Sequence, residues 1–397
     1  METGSLGSDD ISVSLVATAA ALDRLLSDLE GVHRVALDVE ANGMYAYRPS
    51  ICTVQIAWKP ESGGMRVAIL DTLAIPVGEL STLVCCPDVL KVIHDLSFDA
   101  RILSSNGMRI CSVSDTAVAA VFLGKPGTGL AALLAAELGL TVDKGIQNSD
   151  WARRPLSEKS IAYLAADVSH LLRLQELLMD QVRSAGIEDE VAYETAYRLV
   201  EALHAPDHEP VPFAKVRGAN KLDQTGQRIL EQLANMREAR AVQINLPPQR
   251  VLADWIVVDI AQRKPQRRAE FVRYRQVARL DGLYQEEIIA VVKKAIAETL
   301  HSTTELSPAV SPPKSRTNLP TGDKSGRKAV EKRLRAWRTE EAARRSLCEQ
   351  VVLPSHCIRN IIAHPPKTIE EVALIPGFGT RRTELYANKL LEITATQ

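Results

Sequence analysis

The chain has 397 residues, long enough for two or three domains with substantial cores, and its 46% apolar content marks it as soluble and globular. It has no run of about eighteen apolar residues, and the polar, acidic start METGSLGSDD lacks the basic and apolar regions of a signal peptide, so a cytoplasmic protein is expected. The net charge of −1 conceals an asymmetry: residues 1–200 carry 16 Lys+Arg against 26 Asp+Glu, and residues 201–397 carry 32 against 23. An acidic half and a basic half suggest a polyanion held by one part and acted on by another, although a solvated basic surface gives the same counts.

The six cysteines show no CxxC spacing, which speaks against a zinc ribbon or a thioredoxin-like pair and for small buried hydrophobes in a reducing compartment. From about residue 15 to 180, strand-like and helical runs alternate. VATAAALDRLLSDL (16–29) has helical spacing and leads into a strand at 34–40; SICTVQIAW (50–58), MRVAILD (65–71) and VLKVIHD (89–95) are further strands. Helices are expected over 98–106, 115–123, 129–138 and 157–181, the last capped by Ser157. Three strands in succession, then strand–helix alternation, indicate an α/β sheet with an antiparallel portion.

Asp38 and Glu40 leave the first of those strands on the same side, because alternate side chains share a face. Two like charges so close stay ionised together only beside something positive or in water. A strand end opening into solvent satisfies this, and so does a divalent metal supplied with further carboxylates. Asp99 lies in a first helical turn, where backbone N–H groups favour an anion. Tyr163 and Asp167 lie four apart on one helical face.

After about residue 215 strand signals nearly vanish. Two helical segments, at about 220–300 and 326–395, flank a Ser/Thr/Pro-rich spacer that reads as a flexible linker. ILEQLANMREARAVQINLPPQRVL (229–252) parallels VEKRLRAWRTEEAARRSLCEQVVLPSHCI (330–358): a helix with several arginines, a polar stretch, then Leu-Pro introducing another helix. A helical module used twice is the economical reading.

DVE (38–40), FDARIL (98–103) and YLAAD (163–167) resemble the three motifs of the DEDD superfamily of 3′-to-5′ exonucleases, and Tyr163 marks the DEDDy branch, since the alternative branch would have His where this chain has Ala162. DKGIQNSDWARRPLSEKSIAYLAADVSHLL (143–172) resembles the corresponding region of the ribonuclease D family, and the repeated module is similar to the HRDC domain. The match is fuller in the second copy, where IPGFG (375–379) stands against LDG (280–282) in the first. The resemblance implies a ribonuclease-H-like α/β exonuclease domain with a mixed sheet at 10–210. Two small all-α HRDC-like domains would follow at 215–300 and 327–397, separated by a linker at 301–326. By the same resemblance Asp38, Glu40, Asp99 and Asp167 would hold two Mg²⁺ or Mn²⁺ ions, and Tyr163 would position the attacking water or help to deprotonate it. Hard, oxygen-seeking ions need carboxylates of this kind.

The implied activity is metal-dependent 3′-to-5′ hydrolysis of RNA with a single-stranded 3′ end, tRNA precursors first, to nucleoside 5′-monophosphates. Nothing in the residues separates ribose from deoxyribose, so a DNA exonuclease is the near rival; a non-catalytic RNA-binding adaptor is a more distant one, opposed by the intact five-residue set. GKPGTGL (124–130) lacks the Lys-Ser/Thr of a phosphate loop, so no NTP site is expected. His94 and Gln55 read as structural, as do Asp150 and Trp151, while Arg153 and Arg154 are candidate phosphate contacts. In the helical modules Arg237, Arg240, Arg263, Lys264, Arg267 and Arg268, and then Arg333, Arg335, Arg338, Arg344, Arg345, Arg381 and Arg382, could meet phosphates. Removing residues 210–397 is then expected to weaken substrate affinity but to leave cleavage in place.

Overall fold

Runs rich in Val and Ile build a six-stranded mixed sheet: β1 (Ile11–Val16), β2 (Arg34–Ala41), β3 (Ile51–Trp58), β4 (Met65–Asp71), β5 (Leu90–Ile93) and β6 (Val113–Asp115). The structure, a computed structural model, describes residues 11–142, 145–205, 213–278, 282–302 and 324–395. The strands lie in the order β1-β4-β3-β2-β5-β6. The β2-β3-β4 meander is antiparallel, while β1 on β4, β5 on β2 and β6 on β5 are parallel. β2 to β5 lie where the sequence places them. β1 and β6 do not appear in the sequence reading: β1 is an edge strand whose Val13 and Leu15 are 44% and 49% exposed, so burial does not mark it, and β6 has only three residues.

Eight helices flank the sheet: α1 (Ala19–Asp28), α2 (Ser81–Val84), α3 (Ser97–Ser105), α4 (Thr116–Phe122), α5 (Leu130–Leu138), α6 (Glu158–Ser169), α7 (Leu171–Ala185) and α8 (Glu188–His204). Val35, Leu37 and Val39 pack with Leu22, Leu25, Ala100 and Leu103 of α1 and α3, whereas Ala36 faces the opposite core, built with α4 to α7. Asp38 and Glu40 share the parity of Ala36 and so open on the side that α6 covers. The helix expected over 157–181 is broken at His170 (ψ 1°), where Ser169 Oγ donates back to the Ala165 carbonyl and bends the chain.

The first helical copy comprises α9 (Gln224–Ile244), α10 (Pro248–Val251), α11 (Asp254–Arg263), α12 (Arg275–Ala278) and α13 (Gly282–Ser302). The second comprises α14 (Lys324–Arg345), α15 (Glu349–Val352), α16 (Ser355–Ala363), α17 (Ile369–Ala373) and α18 (Thr380–Ala395). A buried arginine fixes their register: Arg237 Nη1 donates to Leu252 O (2.9 Å) and Arg338 Nη1 to Leu353 O (3.3 Å), 101 positions on. The short helices α10 and α15 are offset by the same 101 positions. Leu246-Pro247 therefore corresponds to Leu347-Cys348, and not to Leu353-Pro354 as the shared Leu-Pro suggests. Most of the expected linker (303–323) and Leu280-Asp281 of the first-copy turn lie outside the described residues.

The chain folds as two units. One unites the sheet, α1 to α8 and the second helical copy. In it Val351 shares an apolar core with Phe122, Trp151 and Leu164, and Gly379, at φ +81°, lies against the Tyr193 ring. The other unites the first copy with the 42–50 loop, where Tyr47 Oη donates to the Glu238 carboxylate and Arg48 N to Asn245 Oδ1 (3.1 Å).

Candidate active site

The end of β2 and one face of α6 bring three of the expected carboxylates together. One ligand oxygen from each of Asp38, Glu40 and Asp167 lies within 4.8 Å of the others. Asp99 stands in the first turn of α3 as expected, only 4% exposed; it is outside that triangle but near enough for Asp38 and Glu40 to act on it. Burial, then those neighbouring charges, holds the Asp99 carboxyl well above the usual carboxylate range. Burial likewise pushes Asp38 up to about 6. Burial and the charges of Asp38 and Asp167 raise Glu40 to about 9, and burial with Asp38 raises Asp167 to about 7. Like charges are concentrated here, and the group that would balance them is a cation.

Tyr163 is half-buried one turn before Asp167, with its hydroxyl near enough to that carboxyl to favour the charged form. Burial, then the charges of Asp167, Glu40 and Asp38, raises the phenol's pKa. Trp151, 3% exposed, stacks on Tyr163, and its indole N–H approaches Glu40 closely enough to favour the charged carboxyl, although no acceptor lies within full hydrogen-bond geometry. This role is missed by sequence reasoning, which assigns Trp151 to structure alone. Gln55 pairs with Asp38 across β2 and β3; in the amide orientation that satisfies its neighbours it donates to Asp38 O (2.8 Å) and Oδ2 (3.2 Å) and accepts from Thr53 Oγ1 (2.7 Å). Asp115, also not singled out, accepts backbone N–H bonds from Asp95, Leu96 and Ala117 at 2.8–3.0 Å and so fixes the start of α3 that carries Asp99. His94 bonds Thr116 Oγ1 through Nδ1 (2.9 Å), a structural contact as expected.

The expected phosphate contacts divide. Arg154 is committed to the protein: Nε and Nη2 bond Asp71 at 2.6 and 2.7 Å, Nη2 bonds Cys52 O (2.8 Å) and Nη1 bonds Trp151 O (2.7 Å). Burial alone would raise the Asp71 carboxyl, but Arg154 outweighs it and lowers the pKa. Arg382 is wholly buried, donating to the Val351, Gly377 and Phe378 carbonyls, and Arg237 and Arg338 are buried too. Contrary to the expectation of phosphate contacts, these four arginines serve the protein itself, since five donors each make them fit to satisfy carbonyls left over at helix ends and turns. Lys264 bonds Asp223 (2.6 Å), Arg263 pairs with Asp259 (2.9 Å) and Arg381 with Glu190 (3.5 Å); Arg153 is exposed.

A family model for the 3′-5′ exonuclease matches residues 13–183, and one for the HRDC domain matches twice, at 226–292 and 327–394. Ribonuclease D of Gluconacetobacter diazotrophicus is 33% identical over 67% of this chain and 67% of its own. That of Granulibacter bethesdensis is 32% identical over 72% and 71%. The chain belongs to the ribonuclease D family. It is a 3′-5′ exoribonuclease of the ribonuclease D type, and its family implies a divalent metal. The crystal structure of Escherichia coli RNase D matches over 97% of this chain and 99% of that one, with a TM-score of 0.67 at 22% identity. A Bifidobacterium adolescentis protein matches over 98% and 100% with a TM-score of 0.73 at 21% identity. This chain shares the fold of both, and in it a mixed-sheet α/β exonuclease domain is followed by helical HRDC domains. Among the described residues no helix is long and apolar enough to cross a membrane.

Proposed function

We propose that this ribonuclease D removes nucleotides one at a time from the single-stranded 3′ end of RNA, tRNA precursors first, and releases nucleoside 5′-monophosphates. The observation that carries the reading is the triangle of Asp38, Glu40 and Asp167 oxygens, beside buried Asp99, with every carboxyl driven toward protonation. A donor set made only of carboxylate oxygens fits Mg²⁺ or Mn²⁺ and not zinc held by Cys or His. Asp38, Glu40, Asp99 and Asp167 would hold two such ions. Bound there, the ions supply charge stabilisation to the attacking and leaving oxygens of an in-line displacement at phosphorus. Tyr163, beside Asp167 and backed by Trp151, presents its hydroxyl to orient the attacking water. Gln55 steadies Asp38 from the neighbouring strand, and Asp115 steadies the helix that bears Asp99. The nuclease domain is taken as 10–210, the HRDC domains as 215–300 and 327–397, and the linker as 301–326.

The test is a gel time course of 5′-labelled single-stranded RNA and its DNA equivalent with Mn²⁺, Mg²⁺ or EDTA, comparing wild type with Asp167→Asn. The expected result is a metal-dependent ladder that shortens RNA from its 3′ end and vanishes in the variant. Faster shortening of DNA would favour the DNA reading, and RNA binding without shortening would favour the adaptor.

A further inference from the structure

The two helical copies use one face differently. In the second copy that face is buried: Leu347 and Val351 enter the core around Phe122 and Trp151, and His356 stacks on Tyr197 with ring centroids 3.7 Å apart while bonding Glu194 (2.9 Å). Through the register set by Arg237 and Arg338, the counterparts of Leu347, Val351 and His356 in the first copy are Leu246, Arg250 and Trp255. These three line a cavity of about 770 Å³, together with Arg240, Arg273 and Arg275. Glu341 stands in the second copy where Arg240 stands in the first. The core-packing Val351 is thus replaced by a cation, Arg250, and the acidic Glu341 by another, Arg240, while none of the described residues lining the cavity is acidic. Trp255 is 62% exposed in the first turn of α11. Arg250 stacks on the Tyr45 ring of the 42–50 loop at 4.2 Å, within the same unit.

An exposed indole among guanidinium groups matches a nucleotide, whose base stacks on an aromatic face and whose phosphates accept forked hydrogen bonds from arginine. The volume lies in the range of pockets that enclose small ligands. We infer that this cavity holds one unstacked nucleotide of a single-stranded RNA, its base on Trp255 and its flanking phosphates among Arg240, Arg250, Arg273 and Arg275. The inference deepens the proposed function and rests on RNA being the substrate, but it shares no residue with the carboxylate site.

The test uses the full chain in EDTA, with short 5′-fluorescein-labelled single-stranded RNA followed by anisotropy across a salt series, and tryptophan emission followed in parallel. Trp255→Ala should weaken binding about tenfold, and Trp255→Phe should bind much as wild type does while losing the emission change. Arg273→Gln and Arg275→Gln should each flatten the slope of log affinity against log salt by about 0.7. Should Trp255→Ala fail to fold, the two arginine variants and Trp255→Phe still decide the matter. Affinities and slopes at the wild-type level in folded variants would overturn the inference. So would an emission change as large with free 5′-AMP as with RNA, which assigns the cavity to a mononucleotide, or a change with polyglutamate and none with RNA, which makes it a protein-docking face. Cleavage of a dinucleotide with Mn²⁺ should be unaltered in all these variants; loss of wild-type RNA shortening, by contrast, would strike the proposed function and leave the emission result standing.

Discussion

The indole of Trp151 lies against the phenol of Tyr163, with ring centroids 5.7 Å apart and planes 29° from parallel. One ring thus limits how far the other can swing from Asp167. Tyr163→Phe, which keeps the stack and removes the hydroxyl, should lower kcat by about 10²- to 10⁴-fold. Mn²⁺ affinity by calorimetry should hardly change; a large loss of affinity would make Tyr163 part of the metal's support and not a positioner of water. Trp151→Phe keeps a ring but takes the indole N–H away from Glu40, and should cost about 10- to 100-fold in activity or metal affinity.

The carboxylate cluster ties stability to pH and to metal. Asp38, Glu40 and Asp167 are raised to about 6, 9 and 7 from ordinary values of 3.8, 4.5 and 3.8. The folded, metal-free chain therefore keeps protons that the unfolded chain releases, and these groups favour folding most below about pH 4, with that contribution lost as pH rises toward about 9. Melting curves from about pH 5 to 9 should show a midpoint in EDTA that falls relative to the midpoint in Mg²⁺, so that the gap widens upward. Asp38→Asn with Glu40→Gln should narrow it. A gap independent of pH would show that metal does not replace those protons.

Arg154 clamps the turn that carries Trp151 to Asp71 and Cys52, and Arg154→Gln leaves a largely buried carboxylate without its partner. Stability should fall by about 1–3 kcal/mol in denaturant titrations. RNA affinity in EDTA should stay near wild type, because the side chain faces inward. A selective loss of RNA affinity with unchanged stability would return Arg154 to the role of phosphate contact.

A Cβ at Gly379 would sit 2.3 Å from Tyr193 Cδ2, and the residue is at φ +81°. Gly379→Ala forces strain and collision together, at a cost of about 1–3 kcal/mol. Since Val351 and Phe122 share one core, calorimetry should show the nuclease transition itself moving down. A shift confined to a small helical transition would deny that shared core.

The D-x-E parity at 38–40, the Tyr163/Asp167 helix face and the first-turn place of Asp99 were legible because strand alternation and helix periodicity act locally. β1 and β6 were not, since pairing with β4 and β5 fixes them more than their own burial does. Charged residues misled for a related reason: Arg154, Arg237, Arg338 and Arg382 look like solvent-facing cations in a string of letters, while in space their donors meet buried carbonyls and carboxylates. The expectation that residues 210–397 could be removed without touching cleavage meets the same obstacle, because that cut strips Val351, Leu347 and Cys348 from the core behind Trp151.

That shared core also bears on how the chain is made. Phe122 lies in one apolar core with Val351, which is synthesised more than two hundred residues later. Throughout that interval the nascent nuclease domain exposes a hydrophobic surface of the kind on which partly folded chains aggregate or are held by chaperones. Completion of the fold is thereby delayed until synthesis of the C-terminal module, so that a prematurely terminated product would lack a finished nuclease core.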